Sequence, residues 1–329
     1  MILVTGGAGF IGSALVWGLN QRGYRDIVVV DHLGLGAKWQ NLSKRELDYV
    51  VPKDQFFSWL ETEGHRQSIE AVFHLGACSS TTERDGDYLM QNNVLFSKRL
   101  WDFCSDRAIP FLYASSAATY GAEEHNFSDA AERTADLRPI NKYGWSKQLF
   151  DGWALRQGGV KAPPSWFGFK FFNVYGPNEY HKGSQASVVY HAYPQVQERG
   201  KLKLFKSYRP DIAHGEQRRD FVYVKDVIKV LLHFWEKSSQ IPSGVYNLGT
   251  GEPRKFIDLG QAVFDSLGKS SNFDWIEMPE SLKAQYQYYT AADLTRLRLN
   301  AAYHDPFMSL EAGVEDYVQN YLLQADPYL

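Results

Sequence analysis

The first thirty-one residues constrain this chain most. Ile2-Leu3-Val4 is a short apolar run, and Gly6-Gly7-Ala8-Gly9-Phe10-Ile11-Gly12 follows at once. Ala14, Leu15 and Leu19 then recur at helical spacing as far as Gly23, and a second β-branched run, Ile27 to Val30, ends in Asp31. A buried parallel strand, a glycine turn, a helix and a second strand make a βαβ unit. The glycines satisfy both G-x-G-x-x-G (Gly7, Gly9, Gly12) and G-x-x-G-x-x-G (Gly6, Gly9, Gly12). Without side chains there, the backbone can approach a pyrophosphate, and the N–H groups of the helix face the anion. An acid 19 residues past Gly12 completes the dinucleotide-binding pattern. Asp31 would accept from a ribose hydroxyl, which favours NAD; Lys38 and Lys53 can reach a 2′-phosphate, which favours NADP. The residues alone leave both open.

Downstream, strand and helix patterns alternate, as in a doubly wound α/β sheet of Rossmann type. Ala71 to Leu75 ends in Gly76-Ala77, Phe111 to Ala114 ends in Ser115-Ser116, and Gly168 to Phe172 leads into Asn173-Val174. Together with Gly6 to Gly12, these ends place four polar or glycine-rich segments at the carboxyl edge of the sheet, where ligands bind in such folds. Phe221 to Val224 and Val245 to Leu248 read as returns to the same sheet. The segment from Tyr175 to Gln217 is richer in Gly, Pro, His and Lys and reads as a smaller, loop-rich substrate lobe. The expected division is 1–172 with about 218–250 for the dinucleotide domain, and about 173–217 with 251–329 for the lobe. With 329 residues, 44% of them hydrophobic, the chain can bury a core of that size.

Bulk properties exclude several classes. A net charge of −3, with both signs dispersed, points to no nucleic-acid or membrane surface. There is no apolar run of membrane-spanning length, and a strand beginning at residue 2 leaves no place for a signal peptide. Two cysteines, Cys78 and Cys104, suit a reducing cytoplasm better than a disulfide framework. Neither has a histidine spacing that suggests a metal, and His74 on its apolar strand reads as a core histidine bonded to backbone.

The chemistry resides in Tyr143-Gly144-Trp145-Ser146-Lys147. Tyr143 and Lys147 are four apart, one helical turn from each other. A phenol ionises near pH ~10, and an ammonium close by would bring that down. With Ser116 holding a substrate hydroxyl, Tyr143 can take its proton while a hydride leaves for a nicotinamide.

The glycine motif, Ser115-Ser116-x-x-x-Tyr120-Gly121, Tyr143-x-x-x-Lys147 and Asn173-Val174-Tyr175-Gly176-Pro177 resemble the extended short-chain dehydrogenase/reductase superfamily, along nearly the whole chain. His74-Leu75-Gly76-Ala77-Cys78-Ser79-Ser80-Thr81-Thr82, Tyr113 to Gly121, His181-Lys182-Gly183-Ser184 and Arg219 to Val224 resemble more closely its ADP-L-glycero-D-manno-heptose 6-epimerases. That resemblance implies oxidation at carbon 6 of an ADP-linked heptose, rotation of the ketone, and return of the hydride to its other face. The product is a precursor of the lipopolysaccharide inner core. The resemblance implies that Gly6, Gly9, Phe10, Ile11, Gly12, Asp31, His32, Lys38, Lys53, Leu75, Gly76, Ala77, Cys78, Ser79, Asn92, Lys147, Val174 and Lys182 line NADP rather than NAD. Ser116, Asn173, Ser184, His191, Phe205, Arg219 and Tyr286 would meet the ADP-sugar. Tyr143 and Lys182 would be the two acid/base groups, since one base cannot easily reach both faces. It also implies a homo-oligomer, in a ring of five, with no metal. The chain departs from the pattern at Leu75, where an acid is expected, at His32, where an asparagine is expected, and in a longer Ser207–Arg218 stretch. The rival readings are a nucleotide-sugar 4-epimerase or 4,6-dehydratase, and a non-catalytic NADP-binding sensor. Ala117-Ala118 after Ser116 lacks the Asp-Glu pair of a dehydratase, and a 4-epimerase needs no Lys182. All of Ser116, Tyr143 and Lys147 are present, which disfavours a sensor.

Overall fold

A computed structural model of the chain describes residues 1–64, 67–122, 125–157, 159–283 and 286–329. The first half runs β1 (Ile2–Thr5), α1 (Phe10–Gln21), β2 (Ile27–Asp31), β3 (Tyr49–Pro52), α2 (Phe56–Thr62), β4 (Ala71–His74), α3 (Gly86–Leu89), α4 (Phe96–Asp106), β5 (Phe111–Ser116), α5 (Lys142–Gln157) and β6 (Trp166–Phe171). A π-helical stretch, Met90–Leu95, joins α3 to α4 without a break. The second half runs β7 (Asn173–Tyr175), α6 (Val188–Arg199), β8 (Leu202–Phe205), β9 (Arg218–Arg219), β10 (Phe221–Tyr223), α7 (Val224–Glu236), β11 (Gly244–Leu248), β12 (Arg254–Lys255), α8 (Phe256–Ser266), β13 (Phe273–Ile276), α9 (Glu280–Lys283), α10 (Thr295–Leu299) and α11 (Leu310–Tyr317).

Seven strands form one parallel sheet in the order β3-β2-β1-β4-β5-β6-β11. The order reverses between β1 and β4, which opens a crevice at their carboxyl ends. Alternate strand residues enter two separate cores. Ile2, Val4, Ile27, Val29, Phe73, Leu112, Phe167 and Tyr246 face α1 and α7. Leu3, Val28, Val30, Val72, Phe111, Tyr113, Trp166 and Val245 face α2, α4 and α5. Burial on both faces explains why these strands read as continuous apolar runs. The α1/α7 core continues into Val189, Ala192, Leu202, Leu259, Val263 and Val314, so the second half packs on one face of the sheet.

One sequence expectation is corrected. Phe221 to Val224 does not rejoin the main sheet: among the described residues β10 pairs with β7, Phe221 against Asn173 and Tyr223 against Tyr175, and Val224 starts α7. Gly244 to Leu248 does rejoin it, against Phe167 to Phe171. In the second half, β8 pairs with β13 and β9 with β12. Among the described residues no helix is long and apolar enough to cross a membrane.

Candidate active site

At the nucleotide end, the β1–α1 turn is closed by its own backbone. Gly6 adopts φ 68°, and a Cβ there would stand 2.6 Å from Gly76 Cα. A Cβ on Gly12 would stand 2.1 Å from the Gly6 carbonyl oxygen, so α1 can approach the turn only without that side chain. Gly9 precedes α1 and offers no side-chain cap, which leaves the first N–H groups of the helix open to the crevice. Asp31, at the end of β2, accepts from Ala8 N at 2.9 Å, from its neighbour His32 N at 2.7 Å and from Lys38 Nζ at 2.5 Å. It is thus neutralised by Lys38 rather than left as a lone ribose acceptor. Lys53 donates to Asn92 Oδ1. Two lysines beside a paired carboxylate suit a 2′-phosphate as well as a hydroxyl.

At the chemical end, β5 delivers Ser115 and Ser116, and α5 delivers Tyr143 and Lys147. Ser116 Oγ accepts from Ala118 N at 3.1 Å and is also bonded to the Tyr143 phenol. Burial pushes that phenol up to about 12; the Ser116 bond opposes the shift, and the charges of Cys78 and Asp151 add to it. Lys147 does not lower it, contrary to expectation. Its Nζ turns to the Ala114 carbonyl at 2.8 Å, and burial pulls it down to about 8 against the field of Asp151. Asp151 lies one turn beyond Lys147 and is fully buried with Lys170, 3.0 Å away. Ser115 Oγ donates to Asp151 Oδ2 at 2.6 Å, Tyr113 OH donates to Oδ1 at 3.0 Å, and Lys170 donates to Thr119 at 2.6 Å. Removing one partner of such a buried pair strands a charge, at about 3–5 kcal/mol.

A third element, the turn Tyr180–Gln185, brings Lys182 to the same place. Its Nζ lies 5.2 Å from the centre of the Phe10 ring. Burial holds the ammonium below its ordinary value, and the Glu179 carboxylate opposes that shift. Burial and the charges of Lys38 and Lys182 push His181 down to about 4.

These pieces line one cavity of about 610 Å³. Of the residues expected at the cofactor, Gly6, Gly9, Phe10, Ile11, Gly12, Asp31, His32, Lys38, Lys53, Leu75, Gly76, Ala77, Ser79, Asn92, Lys147, Val174 and Lys182 line it, with Ser116 and Tyr143. Cys78 does not; Asn93 holds its backbone by both N–H and carbonyl, at 2.9 and 3.0 Å. Asn173, Ser184, His191, Phe205, Arg219 and Tyr286 lie outside the lining. Asn173, Ser184 and His191 are exposed. Arg219 is buried between the rings of Tyr286, at 5.1 Å, and Phe256, at 5.8 Å. It does not pair with Asp220, whose carboxylate accepts from the backbone of Thr250, Gly251 and Ala292. Also in the lining, and given no individual site role from the sequence, are Thr5, Val30, Tyr88, Phe96, Ala114, Ser115, Phe171, Phe172, His181 and Gln185. Phe171 and Phe172 end an aromatic cluster that reads as core. Ser115 and His181 adjoin assigned residues, and that adjacency was the available signal.

His74, behind the cavity, bonds hydroxyls rather than backbone: Thr5 Oγ1 at 2.7 Å and Ser97 Oγ at 2.8 Å. Burial, then the Lys147 charge, pushes it down to about 3. The unfolded chain takes up this proton as pH falls through about 6.5, whereas the folded chain resists until about 3. The native state therefore loses about 1.4 kcal/mol per pH unit for this one group as pH falls across that window. In urea unfolding between pH 6 and 4, where His181 titrates as well, the native chain is expected to lose about 1.4 kcal/mol per pH unit more than His74→Gln. Equal slopes in the two would remove His74 as a source.

A cavity of this kind, at the switch point of a doubly wound sheet, is that of a nicotinamide-dependent enzyme of Rossmann architecture. The chain belongs to the NAD dependent epimerase/dehydratase family, whose model matches residues 2–249. Over its whole length it is 50% identical to the ADP-L-glycero-D-manno-heptose-6-epimerase of Fusobacterium nucleatum and 47% identical to that of Nitratidesulfovibrio vulgaris, covering 100% of each. Among solved structures it is similar to the Helicobacter pylori ADP-L-glycero-D-manno-heptose-6-epimerase (TM-score 0.79, 27% identity, 97% of this chain and 95% of that chain). A Thermotoga maritima UDP-glucose 4-epimerase with UDP-glucose matches with TM-score 0.78 and 26% identity, over 97% of each chain.

Proposed function

We propose that the chain inverts carbon 6 of ADP-D-glycero-D-manno-heptose to give ADP-L-glycero-D-manno-heptose, with NADP held throughout. One observation carries this reading: two proton carriers on separate elements, Tyr143 on α5 and Lys182 on the turn Tyr180–Gln185, line one cavity with the glycine turn. A nicotinamide held in this cavity would supply reversible hydride transfer at carbon 6. Ser116 holds the reacting hydroxyl, and Tyr143 and Lys182 serve the two epimers, each taking the proton where the other returns it. Lys147 orients the cofactor. Lys38 and Lys53 meet its 2′-phosphate, with Asp31 already neutralised. Arg219, with Tyr286 and Phe256 against its guanidinium, meets the diphosphate, where a fork of donors suits phosphate oxygens. Asn173, Ser184, His191 and Phe205 complete the sugar-nucleotide site, which places it at the junction of the sheet with the second half of the chain. The interleaved division of nucleotide domain and substrate lobe follows from the same reading. The product serves the lipopolysaccharide inner core, in the cytoplasm, and the working form is a homo-oligomer, a ring of five. Ala117-Ala118 after Ser116 supplies no acid for eliminating water, which disfavours a dehydratase.

The purified chain is expected to release NADP on denaturation, identified by mass. It is expected to convert ADP-D-glycero-D-manno-heptose to its 6-epimer with no added reductant. In heavy water, carbon 6 of the product is expected to carry no deuterium, because the hydride is returned internally. Deuterium at carbon 6 would overturn the mechanism.

A further inference from the structure

We infer that two buried asparagines, Asn41 and Asn178, position Lys182 against the glycine turn. The inference rests on the acid/base role proposed for Lys182. Asn41 is 2% exposed and lies in the short helical turn Ala37–Leu42, which also carries Lys38. Its side-chain nitrogen is 2.9 Å from the Ala8 carbonyl, 3.1 Å from the Asn178 carbonyl and 3.2 Å from His181 Nδ1. One amide group thus joins the glycine turn to the two residues that bracket the approach to Lys182. It has two hydrogens for three acceptors, so one is shared.

Asn178 is fully buried and adopts φ 75°, a backbone conformation that few residues other than glycine hold. Three bonds keep it there. Its carbonyl accepts from Asn41, its Nδ2 donates to Ser13 Oγ of α1 at 2.9 Å, and its Oδ1 accepts from Leu329 N at 3.1 Å. Lys182 N then donates to the Glu179 carbonyl at 3.0 Å and closes the turn. The backbone of Lys182 is in this way fastened to α1 and to Ala8, beside the Phe10 ring over which its ammonium lies. Neither asparagine lines the cavity, so any effect on the reaction passes through the residues they hold. A lysine has a long, freely rotating stem, and the place of its ammonium depends on where that stem is anchored. An error of about 1 Å in such a group costs on the order of 10²-fold in rate.

A double-mutant cycle tests this in the full chain, with ADP-D-glycero-D-manno-heptose as substrate. Asn41→Ala, Asn178→Gly and Lys182→Met are measured singly, and each asparagine change is combined with Lys182→Met. Asn178→Gly keeps the left-handed backbone accessible while removing two side-chain bonds, so it carries the cycle if Asn41→Ala fails to fold. Each asparagine change is expected to lower kcat by about 10–100-fold, with substrate KM and bound nucleotide within about twofold. In the Lys182→Met background the same changes are expected to alter the residual rate by less than about twofold. If they lower it by the same factor as in the native background, the pair supports the fold generally and the inference is wrong. A Lys182→Met chain of native activity would overturn the acid/base reading itself, and this inference with it.

Discussion

Tyr143→Phe is expected to lower kcat for epimerisation by about 10²–10⁴-fold, the usual worth of a positioned acid or base. The substitution removes one oxygen and leaves a ring of the same shape in a site where Tyr143 is only 9% exposed, so the fold and bound nucleotide are expected to stay unchanged. The phenol, pushed up to about 12 by burial, is a proton donor at neutral pH. Its use as a base against that value costs about 7 kcal/mol at pH 7, from 1.36 kcal/mol for each pH unit between the two, unless charge is brought against it. Lys147, itself pulled down to about 8, is the nearest cation on the same helix face, and its Nζ must leave or share the Ala114 carbonyl to help. Steady-state rates for both epimers check the expectation. Activity within a few-fold of native would remove Tyr143 from the chemistry.

Lys182→Met is expected to lower epimerisation by a comparable factor, about 10²–10⁴-fold, while sparing half of the reaction. Methionine keeps much of the length of the stem over Phe10 and removes the ammonium. If Tyr143 and Lys182 each serve one epimer, Lys182→Met still reduces the bound nicotinamide with the epimer that Tyr143 serves, and not with the other. Tyr143→Phe gives the opposite pattern. Single-turnover absorbance of the reduced nicotinamide, started from each pure epimer, reads this directly. The same epimer preference in both variants would mean one shared base. Glu179 opposes the lowering of the Lys182 pKa, so the two-base account gives its carboxylate a part in tuning this group.

What was legible in the sequence was local. The glycine turn, Asp31 and the polar strand ends declare themselves because a βαβ turn demands those residue types at fixed offsets. Tyr143 and Lys147 are visible for the same reason, as neighbours four apart on a helix. Side-chain direction was not visible: Lys147 turns to the Ala114 carbonyl, so spacing suggested a depressed phenol where burial raises it. Pairings across the fold were also hidden. Lys170 sits in an aromatic strand with nothing to mark it as the partner of Asp151 on α5. Asn41 lies in a short helical turn without a motif, and its three acceptors come from residues 8, 178 and 181. Phe221 to Tyr223 has the composition of a main-sheet strand, but pairs with β7 because strand partners are chosen by tertiary packing. Tyr286 was assigned by resemblance alone, and the structure brings it against Arg219 outside the cavity lining.

The seventh strand of the sheet bears on how the molecule is made. β11 docks on β6, and residues 172–243 intervene between them. During synthesis the first six strands can assemble as they emerge, but the β6 edge stays an open template until that whole stretch has been produced. Closing so long a loop is slow relative to the local βαβ units before it. The vulnerable interval in the life of this chain therefore falls in mid-translation, between residues 171 and 248 of 329, when a nearly finished sheet waits for its last strand.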